Sequence, residues 1–349
     1  MKTCRFGIIG CSRIAKSHMD AIMDAPDMEL VAVCDINESR AKEYAGNGLK
    51  TYKDHREMLK YEELDIVTVA TPNGLHARHA MDVIAAGRHL VVEKPLALSM
   101  KDVDNIIKAA DHAGVKLAVV HQVRFNPLLR YIKELLDSGR LGKLSHASVA
   151  IRWNRDDAYF AEASWRGTKK MDGGMLLNQA IHQLDAFFLL MGPVSEIFAM
   201  TATRLRKIET EDVGGALVRF KNGTLGVIES TINVYPRNLD EGISIFAEKG
   251  TIQISGKMAN QIKHWECEFP LDQNQLPSQE PFFKGHQRVF ADFIEAIKED
   301  RESYVSGKAV YDVLKYIFAM HSSARYKKPV IFREDEGGKS PVAIPAIYR

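Results

Sequence analysis

The stretch C-R-F-G-I-I-G-C-S-R-I-A, Cys4 to Ala15, is typical of a buried strand, a glycine turn and the start of a helix. The apolar run Cys4 to Ile9 ends at Gly10, and helical character begins at Ile14. At such a turn the amide groups of a helix N-terminus can hold a pyrophosphate. Ser12 replaces the second glycine of the usual fingerprint, but it is small and its hydroxyl could donate to a phosphate. The stretch predicts a dinucleotide-binding turn.

A second buried strand supports this interpretation. The apolar run Leu30 to Cys34 is closed by Asp35, about 25 residues beyond the turn, where a carboxylate can accept hydrogen bonds from both ribose hydroxyls. The same carboxylate would repel a 2′-phosphate, which favours NAD over NADP. The nearby Arg40 keeps NADP open, and a simple loop cap is the alternative role of Asp35.

The alternation of strands and helices continues. The strand Ile66 to Ala70 is followed by T-P-N-G-L-H, Thr71 to His76, and the strand Leu90 to Val92 is followed by E-K-P, Glu93 to Pro95. This rhythm predicts a doubly wound parallel sheet, with ligands at the carboxyl ends of its strands. Lys94 would then project over the cofactor, the alternative being an ordinary surface lysine.

A later strand marks the end of this domain. Lys116 to Val120 is apolar and leads into H-Q-V-R-F-N-P, His121 to Pro127, where we place the crossing to a second domain. Residues 1–122 are expected to form an NAD-binding Rossmann domain. Residues 123–349 are expected to form an α/β domain for substrate binding and oligomerisation.

The run K-M-D-G-G-M-L-L-N-Q-A-I-H-Q-L-D, Lys170 to Asp185, carries the candidate base. Its spacing predicts a helix with Asn178 and His182 on one face, because residues four apart share a face. Asp185, one turn beyond, would reach the edge of the imidazole. This is the layout of a positioned base, and the alternative is a partly buried, hydrogen-bonded histidine with no catalytic role.

Composition excludes several classes of partner. Lys and Arg (47) nearly balance Asp and Glu (45), and the net charge of +2 gives no argument for nucleic acid or a membrane surface. The four cysteines show no C-x-x-C pair or zinc spacing, so we expect reduced thiols, no metal site and a cytoplasmic protein. No apolar stretch is long enough to span a bilayer.

The second half indicates a sheet with covering helices. Ser145 to Arg152 is expected to be its first strand. Leu225 to Val234, Gly242 to Phe246 and Thr251 to Ser255 predict an antiparallel meander. The remaining expectations are a helix at Pro127 to Leu141, an irregular loop at Asn154 to Ala163, and closing helices at Phe290 to Lys298 and Gly307 to Tyr326.

Two polar stretches in this half are candidate ligand contacts. The connection after Val234 carries Tyr235, Arg237 and Asn238, which offer a stacking ring, a guanidinium suited to phosphate or carboxylate, and an amide. An exposed hairpin loop is the alternative. A second, basic run would suit a diphosphate but is more often a solvated face. It consists of Arg204, Arg206 and Lys207.

Taken together, these motifs resemble the Gfo/Idh/MocA family of NAD(P)-dependent sugar and polyol dehydrogenases over the whole chain. The resemblance rests on G-C-S-R-I-A, T-P-N-x-x-H, E-K-P, R-F-N-P, W-R-G at Trp165 to Gly167, and G-G-x-x-x-N-x-x-x-H-x-x-D. It implies an α/β fold: an N-terminal Rossmann domain with a doubly wound parallel sheet, and a C-terminal α+β domain with a large open, mostly antiparallel sheet. In the family the active site lies in the cleft between the domains.

The resemblance also implies roles for particular residues. Lys94, His182 and Asn178 are the expected catalytic residues. Expected cofactor-binding residues are Gly10, Cys11, Ser12, Arg13, Ile14, Asp35, Thr71, Pro72, Asn73, His76, Glu93, Lys94, Gln122, Trp165 and Arg166. Expected substrate-binding residues are Arg124, Asn126, Asn178, His182, Tyr235, Arg237 and Asn238.

Asn178 is a departure from many members of the family, which carry Asp at this position. An amide can orient a hydroxyl but cannot accept its proton, so a relay through Asp is excluded here. This Asn and the stretch Thr231 to Gly256 are similar to a nucleotide-sugar branch that oxidises C3 of UDP-N-acetylglucosaminuronate. The expected activity is NAD-dependent oxidation of that hydroxyl to the 3-keto sugar, in the biosynthesis of surface-polysaccharide sugars.

In this interpretation His182 takes the proton of the C3 hydroxyl, while Lys94 stabilises negative charge on its oxygen. The two roles are reversed if burial lowers the pKa of the lysine. The resemblance also implies that 2-oxoglutarate reoxidises the bound NADH in some relatives. Related proteins pair their sheets into dimers and tetramers, so a homo-oligomer is expected. The alternatives are a dehydrogenase of UDP-N-acetylglucosamine, a free sugar or myo-inositol, and a non-catalytic NAD-binding regulatory protein.

Overall fold

The computed structural model describes residues 3–46, 48–256, 259–270, 282–333 and 343–345. Contacts divide the chain into two compact units. The first contains residues up to Gln122 together with 282–311, and the second begins at Val123 and resumes at Asp312. The predicted division into 1–122 and 123–349 assigns residues 282–311 to the second domain, whereas their contacts place them in the first unit.

Strands and helices alternate through the first unit and separate into blocks in the second. The strands are β1 (Cys4–Ile9), β2 (Met28–Cys34), β3 (Lys50–Tyr52), β4 (Ile66–Val69), β5 (His89–Val92), β6 (Leu117–Val119), β7 (Leu144–Arg152), β8 (Val194–Ala202), β9 (Val213–Phe220), β10 (Leu225–Thr231), β11 (Asp240–Ala247), β12 (Gly250–Ser255), β13 (Gln261–Cys267), β14 (Val330–Phe332) and β15 (Ala343–Pro345). The helices are α1 (Arg13–Met23), α2 (Glu38–Ala45), α3 (His55–Tyr61), α4 (His76–Ala85), α5 (Met100–Ala113), α6 (Pro127–Asp137), α7 (Asp157–Ala161), α8 (Met175–Asn178), α9 (Ile181–Met191), α10 (Phe282–Lys298) and α11 (Tyr311–Tyr326), with short 3-10 turns at Asn73–Leu75 and Gln122–Phe125.

The first unit is the predicted doubly wound sheet. Its six strands are all parallel, in the order β3-β2-β1-β4-β5-β6. The central strands are mostly apolar because both faces of the sheet are covered. Phe6 and Ile8 are fully buried, and Phe290 of α10 packs edge-on against Phe6 with 5.6 Å between ring centroids. The Rossmann fold is confirmed.

The second unit is built on a mixed, mostly antiparallel sheet in the order β13-β12-β11-β7-β10-β9-β8-β14-β15. Among the strands of this sheet that the structure describes, only β7 and β10 pair in parallel. Helices cover one face, and α9 is buried almost all round. Tyr316 of α11 accepts a hydrogen bond from the Val194 amide of β8 at 3.2 Å and packs against Phe188. The open, mostly antiparallel sheet is confirmed.

The predicted meander of three consecutive strands is wrong in its first step. β10 and β11 are not neighbours, because β7 lies between them and pairs with both. The second step is correct, because β11 pairs antiparallel with β12, and β12 then pairs antiparallel with β13. The local sequence identifies the runs as strands but does not show that a strand from far earlier in the chain separates them.

Several helix boundaries differ from the prediction, and the two closing helices begin at Phe282 and Tyr311 instead of at Phe290 and Gly307. The helix expected to reach Leu141 ends at Asp137. The backbone amides of Ser138 and Gly139 donate to the carbonyl oxygens of Glu134 and Leu136 and so end the helix. The stretch expected to be an irregular loop contains α7, capped by Asp156 through the Tyr159 amide. No helix among the residues described here has both the length and the apolar composition that crossing a bilayer requires.

Candidate active site

The turn after β1 is shaped by Gly10. Its φ is +98°, and a Cβ at this position would lie 2.7 Å from the carbonyl oxygen of Ala70, so only glycine fits. Ser12 precedes α1, and its hydroxyl donates to that same Ala70 carbonyl at 3.2 Å. The turn is thereby fastened to the end of β4, which leaves the first amides of α1 at the edge where a pyrophosphate binds in this fold.

Asp35 closes β2 and is held from two sides. One carboxylate oxygen accepts from the Cys11 amide at 2.9 Å and the other from the Asn37 amide at 2.8 Å. The Arg40 guanidinium lies 3.8 Å from the carboxylate. Burial, aided by Asp35, raises the pKa of the Cys11 thiol to about 12, so this cysteine is uncharged. The carboxylate is fixed beside the glycine turn, as a ribose acceptor requires.

The turn after β4 is tied to the E-K-P turn by His76. Its Nδ1 lies 2.7 Å from the Pro95 carbonyl oxygen and its Nε2 lies 2.8 Å from the Thr71 carbonyl oxygen. Burial lowers the pKa of His76, although its hydrogen bonds with the two carbonyl oxygens act in the opposite direction. His76 therefore acts as a brace between two strand-end turns. Asn73, in the same turn, is buried.

Glu93 and Lys94 follow β5. Glu93 is buried, and its Oε1 lies 2.8 Å from Nε2 of His18 on α1. Its Oε2 accepts a hydrogen bond from the Lys94 amide at 3.1 Å. Lys94 itself is half-buried.

The expected cofactor residues of the first unit thus gather at one edge of the sheet. They follow β1, β2, β4 and β5, and those strands are hydrogen-bonded neighbours in the order β2-β1-β4-β5. Gln122, which follows β6, is buried. An extended dinucleotide lies along such an edge in doubly wound folds.

The candidate base lies in the second unit, but not on one continuous helix. α8 ends at Asn178 and α9 begins at Ile181, and the Ala180 amide bonds back to the Met175 carbonyl between them. Gln179, in the break, accepts from Arg155 at 2.8 Å and donates to the Tyr159 hydroxyl at 2.7 Å. The prediction of one continuous helix was wrong. The apolar spacing continues through residues 179 and 180, but the side-chain hydrogen bonds of Gln179 hold a break in the helix there.

Asn178 has a partner that the sequence interpretation missed. Its side-chain Nδ2 donates to the carboxylate of Asp172, which is 4% exposed. The other oxygen of Asp172 accepts the amide of Gly167, in the W-R-G motif. Asp172 therefore connects the W-R-G motif to Asn178 by hydrogen bonds. The position of Asp172 directly before the double glycine is the sequence signal that could have identified it. His182, in the first turn of α9, is partly exposed.

Asp185 forms a buried ion pair with Arg124. The guanidinium donates through Nε at 2.8 Å and Nη2 at 2.6 Å to the two carboxylate oxygens. Asn126, another expected substrate residue, accepts the Leu128 amide at 2.8 Å and caps α6. Asp185 was expected to reach the imidazole edge of His182, and the bidentate pair with Arg124 gives it a different partner.

Arg166 lies beside a tyrosine and close to Trp165. The Arg166 guanidinium lies 4.0 Å from the ring centroid of Tyr159, and its Nη1 donates to the Tyr159 carbonyl at 2.7 Å. Trp165 is half-buried. This arrangement fixes the W-R-G motif internally through aromatic and polar contacts.

The connection between β10 and β11 is exposed. Tyr235 is 91% exposed and Arg237 is exposed, whereas Asn238 accepts the Asn154 amide at 2.8 Å. Arg155, absent from the predicted site, stacks on Trp153 with its Cζ 4.7 Å from the ring centroid. The connection presents one ring and one guanidinium to solvent on a backbone that Asn238 anchors.

The basic run is organised by Asp212. This fully buried carboxylate accepts the backbone amides of Arg204, Leu205 and Arg206 at 2.8 to 3.0 Å. Burial alone would raise the pKa of Asp212, but the three amides lower it below its usual value. The loop is therefore a structural turn around an internal carboxylate, with Arg204 exposed.

Comparison with known proteins agrees with this architecture. The Gfo/Idh/MocA model of an oxidoreductase family with an NAD-binding Rossmann fold matches residues 4–121, and the GFO/IDH/MocA C-terminal domain model matches residues 129–253. Myo-inositol 2-dehydrogenase of Thermotoga maritima is 27% identical over 349 residues, covering 95% of this chain and 99% of that protein.

Two solved structures are more similar in sequence. The WlbA dehydrogenase from Bordetella pertussis, in complex with NADH and UDP-GlcNAcA, is 35% identical and has a TM-score of 0.89, covering 96% of this chain and 100% of its own. WlbA from Chromobacterium violaceum, with the same two ligands, is 33% identical and has a TM-score of 0.88, covering 96% and 97%. With both domain models matched and full-length likeness at this identity, the chain belongs to the Gfo/Idh/MocA family of NAD-binding oxidoreductases.

Proposed function

We propose that the protein is an NAD-dependent dehydrogenase that oxidises the C3 hydroxyl of UDP-N-acetylglucosaminuronate to the 3-keto sugar. The observation that carries this proposal is the full-length likeness to two WlbA enzymes solved with NADH and UDP-GlcNAcA, at 33–35% identity. The likeness to the myo-inositol enzyme is lower, at 27%. A cytoplasmic enzyme of surface-polysaccharide sugar biosynthesis is part of the same proposal.

NAD, when bound, would supply the redox chemistry as a hydride acceptor. The residues of this chain supply binding and proton transfer. Asp35, fixed by two backbone amides, accepts the ribose hydroxyls, and the first amides of α1 bind the pyrophosphate. His182 removes the proton of the substrate hydroxyl, and Lys94 donates a hydrogen bond to the same oxygen.

Asn178 is proposed to orient the substrate hydroxyl as a hydrogen-bond acceptor. Its Nδ2 donates a hydrogen bond to the Asp172 carboxylate. The opposite orientation of the amide is disfavoured, because it would place Oδ1 next to the negative charge of that carboxylate. Arg237 and Tyr235 are proposed contacts of the nucleotide diphosphate and its base, since a guanidinium and a ring stand exposed on the anchored connection.

The test is NADH formation by purified protein with NAD and UDP-N-acetylglucosaminuronate, beside UDP-N-acetylglucosamine and myo-inositol, each with and without 2-oxoglutarate. Turnover with the uronate that is lost in His182→Ala, but kept in the control His321→Ala, supports the proposal. His321 is a histidine of the same unit that contacts Glu211 instead. Turnover with myo-inositol alone would refute the uronate assignment. A rise in turnover with 2-oxoglutarate would show that NADH is recycled in place.

A non-catalytic NAD-binding regulator of the same fold is the alternative. It predicts that Lys94→Ala and His182→Ala bind NADH normally and that no substrate of the panel is oxidised by the parent protein. NADH binding measured by fluorescence, beside the turnover assay, separates the two candidates.

We also propose that the protein is a homo-oligomer that pairs through the uncovered face of the large sheet. Phe198, Leu217 and Val227 are exposed and lie side by side on β8, β9 and β10. Adjacent exposed apolar side chains of this kind mark interfaces. Leu217→Asp should reduce the mass measured by light scattering to that of a smaller species. An unchanged mass would refute this interface.

A further inference from the structure

A buried carboxylate joins three distant segments of the first unit. Oε1 of Glu93 lies 2.8 Å from Nε2 of His18 on α1 and 3.6 Å from Nε2 of His286 on α10. Both imidazoles are fully buried. The other oxygen of Glu93 accepts the backbone amide of Lys94. We refer to His18, Glu93 and His286 as the histidine–glutamate cluster.

The charges in this cluster are arranged around Glu93. Burial alone would raise its pKa, but His18 and His286 lower it well below the usual range. Burial lowers the pKa of His18, although the carboxylate opposes this. The consistent state is an ionised Glu93 that accepts Nε2–H from a neutral His18. A buried anion holds its donors firmly, because withdrawing any of them leaves charge uncompensated.

The same three residues are a geometric candidate for a metal site, since their ligand atoms lie within 4.8 Å of one another. Two ligands of one tetrahedral zinc ion, each about 2.0–2.1 Å from the metal, are about 3.3 Å apart. The 2.8 Å between His18 and Glu93 is instead the length of a direct hydrogen bond. The geometry favours a hydrogen-bonded cluster over a shared ion.

We propose that the histidine–glutamate cluster is a positioning device for Lys94. It fixes the main chain from which the lysine side chain starts, through the bond between Glu93 Oε2 and the Lys94 amide. This inference rests on the proposed function, in which Lys94 contacts the reacting oxygen. Misplacement of a catalytic group by a fraction of an ångström reduces the rate while leaving ground-state binding largely intact.

Glu93→Gln is the first test, because it keeps the shape of the side chain and removes its charge. We expect kcat to fall about 10- to 100-fold, with the KM of the sugar substrate changed less than about twofold. Glu62→Gln is the matched control. Glu62 is also a buried glutamate of the first unit, and it accepts from Lys50 at 2.8 Å. Its substitution should lower Tm and leave kcat within about twofold.

A double-mutant cycle with Lys94→Ala separates positioning from general stability. If Glu93 acts through Lys94, then Glu93→Gln has no further effect on the residual turnover of Lys94→Ala. If the two losses multiply, the proposal is overturned. If Lys94→Ala retains full turnover, Lys94 does not have the catalytic role assigned to it in the proposed function. That result differs from multiplying losses, so a failure of the proposed function is distinguished from a failure of the positioning role.

The histidines provide a second route if Glu93→Gln does not fold. His286→Asn retains an N–H donor near the carboxylate and should keep most of the turnover, whereas His286→Ala should lose it in the same way as Glu93→Gln. Metal analysis of the purified parent protein completes the test. Stoichiometric zinc that disappears in His286→Ala would overturn the proposal in favour of a metal site.

Discussion

Asn178 donates its side-chain amide to the carboxylate of Asp172, and both side chains are buried. The pair explains how an amide is accommodated where many family members carry an acid. With Asp at both positions, two carboxylates would face each other in a site shielded from water. One of them would have to keep its proton.

Asn178→Asp should therefore create a pH-dependent loss of stability. The raised pKa of the carboxylate pair means that the folded state binds more protons than the unfolded state, so stability falls as the pH rises above about 4, the ordinary pKa of Asp. We expect a loss of about 1–3 kcal/mol at pH 7 that shrinks toward pH 4. Thermal unfolding over this range measures it. Asn222→Asp, on an exposed turn, is the control, and a pH-independent loss would contradict the explanation.

Asp35 should set the choice of cofactor. Asp35→Asn removes the charge that repels a 2′-phosphate while keeping an oxygen to accept one of the two amides. We expect the ratio of kcat/KM for NAD to that for NADP to fall about tenfold, or ~1.4 kcal/mol. Adding Arg40→Ala should reverse part of this change, because Arg40 is the nearby cation. A ratio that stays constant in both variants would rule out this role.

We expect Arg124 to contribute more to the stability of the fold than to substrate binding. Arg124→Ala leaves Asp185 charged and 1% exposed, which costs about 3–5 kcal/mol of unfolding free energy. Replacing both partners, as Arg124→Met with Asp185→Leu, should recover most of the loss. Urea unfolding measures both variants. A stable Arg124→Ala protein with a raised KM would show instead that the residue serves the substrate.

Asp212 should contribute stability that acid removes. Its pKa is lowered in the folded state, so the contribution is complete above about pH 4, the unfolded value, and is lost as the pH falls toward the folded value. Asp212→Asn should be about 2–3 kcal/mol less stable than the parent at pH 7. The difference in Tm between the two proteins should narrow below pH 4, and a constant difference would contradict the assignment.

Much of the first unit could be predicted from sequence because its signals are local. β1 has the predicted bounds, and Asp35 lies at the predicted strand end because strand, turn and acid are contiguous in the chain. His286 could not be foreseen. It reaches Glu93 from α10, long after the alternating strands and helices have ended, and no nearby pattern links the two.

The second unit shows the same limit in two other forms. The apolar spacing predicted a helix through His182 but not its break, which depends on Arg155 and Tyr159 binding Gln179 from elsewhere in the chain. The runs of β7, β10 and β11 were all recognised as strands, but the position of β7 between the other two was not. Periodicity reports which face of an element is buried, and it does not report what buries it.

The return of α10 to the first unit has a consequence for synthesis on the ribosome. Phe290 covers Phe6, and His286 completes the contacts of Glu93, so the first unit lacks part of its core until α10 has been translated. At 5–20 residues per second, the stretch from Gln122 to Phe282 takes on the order of ten to thirty seconds. During that interval the apolar surface that Phe290 covers stays exposed, and transiently exposed apolar surface is what chaperones bind.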